Sequence, residues 1–135
     1  KEGNMNIGKA ANLSGLTVKT VRYYANIGIV TPHKDRNTGY RDFSNDDVAK
    51  LQFIGKARKF NFSIVECSEL LSLYQDKNRP SKLVKSLAEE KILTIEKKLN
   101  ELKKLRDQLI ILANNCQGND RPDCPILDAL ANNAC

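Results

Sequence analysis

The sequence predicts a mainly α protein: an N-terminal winged helix-turn-helix, then a long helix, then a C-terminal loop with a short helix. Three observations carry this. Apolar residues recur at helical spacing along nearly the whole chain. One polar, turn-forming stretch, Pro32 to Phe43, interrupts them and ends in an alternating apolar and polar run. A near-heptad apolar repeat then fills residues 81–115.

Asn6 is suited to cap a first helix whose apolar face is Ile7, Ala10 and Ala11, and Ser14-Gly15 supplies a turn. Thr17 is suited to cap a second helix from Val18 to about Asn26, with Gly28 at its end. Two short helices joined this way fit a helix-turn-helix. The second would bury Val18 and Val21 and expose Lys19, Thr20, Arg22 and one of Tyr23 and Tyr24, with Tyr24 taken as the outward one. Residues 32–43 read as a two-stranded hairpin, a wing that offers Arg36, Tyr40 and Arg41. Ser44 to Asp47 opens a third helix with the face Val48, Leu51 and Ile54. Ser63 and Glu66 form a capping box for a fourth, with the stripe Cys67, Leu70, Leu71 and Tyr74. Between them lies a basic and aromatic connection that contains Arg58 and Lys59.

Asp76 to Pro80 is a break, after which Ser81 is expected to cap a helix ending near Asn115. Its stripe is Ala88, Ile92, Ile95, Leu99, Leu102, Leu105, Leu109 and Leu112, with one three-residue stammer after Leu102. A single amphipathic helix of this length has too little chain after it to cover the stripe, so a second copy of itself is the expected partner. The expected domains are therefore 5–80, 81–115 and 116–135. Lys1 to Asn4 read as an added leader, with Met5 as the natural start.

The formal charge of +6 is concentrated in the first part. Residues 5–80 hold 12 Lys/Arg against 7 Asp/Glu, and residues 81–135 hold 9 against 8. A basic N-terminal part suits either a phosphate-bearing partner or solubility alone. No apolar run is long enough to span a bilayer, and the N-terminus lacks a secretory stretch, which predicts no membrane association and a cytoplasmic location. Arg22 suits a bidentate contact to guanine, whereas Lys and Tyr hydroxyls suit phosphates.

Of the four cysteines, Cys67 sits on an apolar stripe and reads as a core packer, and Cys135 as a terminal thiol. Cys116 and Cys124 flank a short, polar, turn-rich segment that can bring the two sulfurs together. Cys124-Pro125 looks like a helix cap followed by proline at the first helical position. Zinc sites take about four ligands, and this loop has no His or third Cys. Two thiolates suit Cu(I), with Ag(I) and Au(I) alike. A redox dithiol and a chance pair remain open on spacing alone. With no Cys-x-x-Cys, no phosphate-binding glycine loop and no partner histidine, an enzyme is not expected.

The runs Ile7-Gly8-Lys9-Ala10-Ala11, Leu16 to Tyr24, Gly28 to Pro32 and Asn37-Thr38-Gly39-Tyr40-Arg41 resemble the MerR family of transcription regulators. The resemblance extends through the capping box, the long helix and the C-terminal cysteines, with one departure at Ala25, where the family usually has Glu. It implies promoter DNA as partner, an antiparallel coiled-coil homodimer, a second wing around Arg58 to Phe62, and activation at promoters shared with RNA polymerase by distorting the DNA. The stretch Cys116 to Ile126 is similar to the metal loop of the copper(I)-sensing branch of that family. That similarity implies Cys116 and Cys124 as metal ligands. It also implies that Ser81, given by the other subunit, marks a sensor of +1 ions where sensors of +2 ions have cysteine, with Lys85 adding positive charge nearby. Copper or silver efflux genes are the implied targets. A thiol-redox or divalent-metal response is the alternative.

Overall fold

The computed structural model describes residues 5–119 and 122–132. The elements follow in the order α1 (Ile7–Ser14), α2 (Val18–Asn26), β1 (His33–Lys34), β2 (Arg41–Asp42), α3 (Asn45–Lys59), α4 (Ile64–Gln75), α5 (Ser81–Asn115) and α6 (Pro125–Ala131). The mainly helical expectation, with an N-terminal helix-turn-helix, a wing and a long helix, is met.

Local chemistry sets most of the boundaries. The Asn6 side chain accepts from Lys9 N at 2.9 Å and starts α1. Gly15 ends it at φ +75°, the left-handed conformation that a Cβ disfavours. Thr17 Oγ1 accepts from Thr20 N at 3.1 Å to start α2. Ser44 with Asp47, and Ser63 with Glu66, close reciprocal capping boxes on α3 and α4. At the end of α3 Asn61 takes φ +73°, and Phe62 N donates back to Ala57 O at 3.3 Å, which turns the chain sharply into α4. The start of α5 differs from expectation. Ser81 is its first helical residue, not its cap, and the Pro80 carbonyl accepts from Leu83 N at 3.2 Å.

α1 packs on α2 and α3, and α3 packs on α4. Their shared core holds Ala10, Ala11, Val21, Phe43, Leu51, Ile54, Cys67 and Leu71, with Phe43, Leu51, Ile54 and Cys67 fully enclosed. Gln52 Nε2 donates to Leu13 O at 3.0 Å and ties α3 to the end of α1. Leu16, in the turn between α1 and α2, reaches under Gly55 so closely that a Cβ there would lie 3.1 Å from its Cδ2. The wing strands pair antiparallel, His33 with Asp42 and Lys34 with Arg41, and Met5 bridges to Phe43 beside them. Two stripe expectations are corrected. Val18 is 36% exposed, because it lies in the first turn of α2 at the edge of the core. Tyr74 is also exposed, with its ring 5.2 Å from that of Phe53.

The chain divides into two compact units between Ala88 and Glu89. The second unit contains most of α5, the loop after it and α6. No residue of α5 is buried. No helix among the described residues is long and apolar enough to cross a membrane.

Candidate DNA interface and thiol loop

The outward face of α2 carries Lys19, Arg22 and Tyr23, all exposed. Tyr24 corrects the expectation for this helix. It is 5% exposed and belongs to the core, so its ring is not available to a duplex, and Tyr23, at 51%, holds the outward position. Burial pushes the Tyr24 phenol above its ordinary pKa, and a hydrogen bond and the positive charge of Arg58 act in the opposite direction. Arg58 also donates from Nη1 to Phe62 O at 2.9 Å. It therefore ties the α3–α4 turn to α2, while Lys59 beside it stands in solvent. Sequence periodicity missed this role, because the contact joins residues far apart in the chain. Thr20 is half-buried, and its hydroxyl accepts from Thr17 Oγ1 at 2.8 Å.

The wing is built on Asp35. Its carboxylate accepts from Asn37 N at 2.7 Å and Thr38 N at 3.0 Å. Those backbone N–H groups, that of Thr38 foremost, hold its pKa below the usual carboxylate range. Gly39 adopts φ +76° to complete the turn, and Arg36 and Tyr40 project into solvent. Arg41 donates from Nη2 to Asn26 Oδ1 at 2.6 Å, which fastens the wing to the end of α2. An open groove of about 590 Å³ results, lined among others by Gly8, Arg22, Tyr40 and Arg41. Arginines from the second helix and from the wing thus border one concavity.

In the C-terminal unit, Cys116 follows α5 directly and Cys124 occupies the N-cap position of α6, with Pro125 at the first helical position as expected. Both thiols are free and half-buried. Among the described residues no group of three or more His, Cys, Asp or Glu could hold a metal ion. Cys67 is fully buried in the N-terminal core, away from any ligand role. Asp120 and Arg121 of the loop, and Cys135, lie outside the described residues.

A helix-turn-helix with a wing fastened to its second helix, and cations on that side, defines a DNA-binding regulatory module. Residues 5–73 match the profile described as "MerR HTH family regulatory protein", and residues 48–112 match "MerR, DNA binding". The chain belongs to the MerR family of DNA-binding transcription regulators, and it is not an enzyme. It is 48% identical over 130 residues to the HTH-type transcriptional regulator HmrR of Rhizobium leguminosarum bv. viciae, covering 96% of this chain and all of that one. It is 41% identical over 127 residues to the HTH-type transcriptional regulator CueR of Salmonella typhimurium, covering 94% and 92%. Among solved structures it is similar to the transcription regulator PbrR691 of Ralstonia metallidurans CH34 in complex with lead(II). That similarity has a TM-score of 0.74 and 26% identity, over 94% of this chain and 99% of the other.

Proposed function

We propose that this protein is a Cu(I)-responsive transcription activator that binds promoter DNA as an antiparallel homodimer and distorts it when Cu(I) engages Cys116 and Cys124. The observation that carries the reading is the pair of free thiols at the two ends of a short loop, where no cluster of three or more His, Cys, Asp or Glu forms among the described residues. A soft ion that accepts two sulfur ligands fits that donor set better than one that requires four. Ag(I) and Au(I) share the preference. The metal-bound state of PbrR691 supports a metal effector in general.

The chain's own residues have separable tasks. Cys116 and Cys124 hold the ion as thiolates. Ser81 and Lys85, from the first two turns of the partner's α5, bring the positive end of a helix dipole and an ammonium toward them. Lys19, Tyr40 and Arg41 hold phosphates, with Thr20, Arg36 and Lys59 around them, and Arg22 reads a base. Arg58 acts by holding the second wing in place. The DNA-binding unit comprises residues 5–80, with 81–115 as the dimer helix and 116–135 as the sensor segment. The same promoter then serves RNA polymerase, in the cytoplasm, for genes of copper or silver efflux.

Anaerobic titration with Cu(I) should saturate at one ion per subunit, and promoter transcription should rise with it. Saturation instead by zinc or lead(II), or a response to oxidant that survives Cu(I) chelation, would overturn the reading in favour of a divalent or thiol-redox sensor. For the DNA side, Arg22→Ala should cost about 1–3 kcal/mol and relax specificity at one position of each half-site. Lys19→Ala should weaken binding to all sequences and flatten its salt dependence. Unchanged operator affinity in Arg22→Ala, measured by fluorescence anisotropy at fixed salt, would remove Arg22 from the base-reading role.

A further inference from the structure

The wing has little apolar surface with which to hold itself against α2. Its strands are exposed apart from Arg41, which is half-buried. A lone hairpin this short is marginal in water. Arg41 is joined to α2 by its side chain, since Nη2 donates to Asn26 Oδ1 at 2.6 Å. A guanidinium has donors and no acceptor, so Asn26 has to present its amide oxygen to it. Asn26 is the last residue of α2, four positions after Arg22 and on the same face of the helix. The last turn of α2 holds no basic residue of its own, so Arg41 also brings a cation to the negative end of that helix.

We infer that Asn26 is the positioning residue for Arg41, and that its neutral amide fixes the guanidinium without cancelling the charge that a phosphate would meet. The inference rests on the phosphate role of Arg41 proposed above and adds the residue that sets its place. A carboxylate at position 26 would make a stronger, charge-assisted bond to the same group. It would also neutralise it. Among the described residues, the charged side chains lining the adjoining groove are Arg22, Arg41 and Asp42. Two cations against one acid leave a net positive groove, and a second acid beside it would remove that excess. The amide occupies one donor of Arg41 and leaves its other N–H groups and its full charge available. A long arginine side chain loses much rotamer freedom when it is fixed. Asn26 fixes it before DNA arrives, so less is lost on binding. Arg36, exposed on the same wing, has no such tie among the described residues.

Two measurements on the full-length protein test this. The first needs no DNA. Nitrogen relaxation at Arg41 Nε should show a more ordered group than Arg36 Nε in the parent. That order should be lost in Asn26→Ala and retained in Asn26→Asp. An Arg41 as mobile as Arg36 in the parent would overturn the inference whatever the DNA results.

The second is affinity for a duplex selected from random sequence by the parent chain, measured across a series of salt concentrations. Asn26→Ala should weaken binding by about three- to tenfold at every salt concentration, the worth of one hydrogen bond, with an unchanged salt slope. Asn26→Asp should also weaken it, although the wing stays tied, and should make the slope shallower by about 0.9 for each wing. A purely structural tie would be served as well by Asp as by Asn. Parent affinity and slope in Asn26→Asp would therefore overturn the inference. So would an Asn26→Ala loss of the same size in an Arg41→Ala background, because Asn26 would then not act through Arg41. Asn26 is exposed and outside the core, so these substitutions leave the packing of the unit alone. An Arg41→Ala chain with parent affinity and slope would overturn the phosphate role of Arg41 itself, an outcome that the relaxation result distinguishes from failure of the tie.

Discussion

Leu99→Glu should sediment as a monomer at micromolar concentration, where the parent chain sediments as a dimer. Leu99 is 61% exposed in the single chain and lies on the only surface of α5 that carries a continuous apolar repeat. Burying a large apolar side chain contributes roughly 1.5–3 kcal/mol, and a symmetric dimer loses that contribution twice. The dissociation constant should therefore rise by roughly 10²–10⁴-fold before the cost of enclosing two carboxylates is added. The N-terminal core does not include Leu99, so the thermal transition of that unit should be little altered. Operator affinity should fall together with dimerisation, because one helix-turn-helix then contacts one half-site alone. A Leu99→Glu chain that remains dimeric at low micromolar concentration would remove α5 as the dimer element.

On the proposed reading, Ser81→Cys should give a chain that answers Zn(II) or Hg(II) as well, whereas the parent should respond to Cu(I) and Ag(I) only. Two thiolates with a +1 ion keep one net negative charge, and a buried charge is costly unless something opposes it. In the proposed dimer the start of the partner's α5 would oppose it in two ways, through the helix's positive end at Ser81 and through the Lys85 ammonium one turn later. A third thiolate at position 81 reverses the balance. It adds negative charge that a +1 ion leaves uncompensated, and it adds a soft ligand that a +2 ion can use. Transcription driven by each metal in both chains measures this. A parent chain activated equally by Zn(II) would defeat the charge argument, and so would a Ser81→Cys chain with unchanged selectivity.

What was legible in the sequence was what short segments decide for themselves. Asn6, Thr17, Ser44 and Ser63 each cap the helix expected of them, because a cap needs only a side-chain oxygen and a backbone N–H three residues on. The wing was legible for the same reason, since Asp35, Thr38 and Gly39 close its turn among themselves. The cysteine pair stood out by spacing. What was not legible depended on distant chain. Tyr23 and Tyr24 both suit an α2 face, and the arrival of α3 and α4, bearing Arg58 and Cys67, determines that Tyr24 turns inward. The link from Arg41 to Asn26 spans fifteen residues and has no periodic signature. The stripe of α4 continues in sequence to Tyr74, beyond the edge of the core it was expected to join. Ser81 was displaced from cap to first helical residue because the Pro80 carbonyl already accepts from Leu83 N.

The sealed position of Cys67 turns the DNA-binding unit into its own stopwatch. The sulfur is fully enclosed between α3 and α4 and lies 3.8 Å from Phe62 O, at the turn that Arg58 also holds. A thiol reagent in solution can reach it only while those two helices are apart, so at reagent concentrations where reclosing outpaces alkylation its rate scales with the open fraction of the unit. Cys116 and Cys124, half-buried in the other unit, should be alkylated faster and independently of that opening. One mass spectrum taken over time therefore reports two motions of the same molecule. If DNA or metal slows the Cys67 clock, the change gives directly the free energy by which that ligand holds the reading head shut.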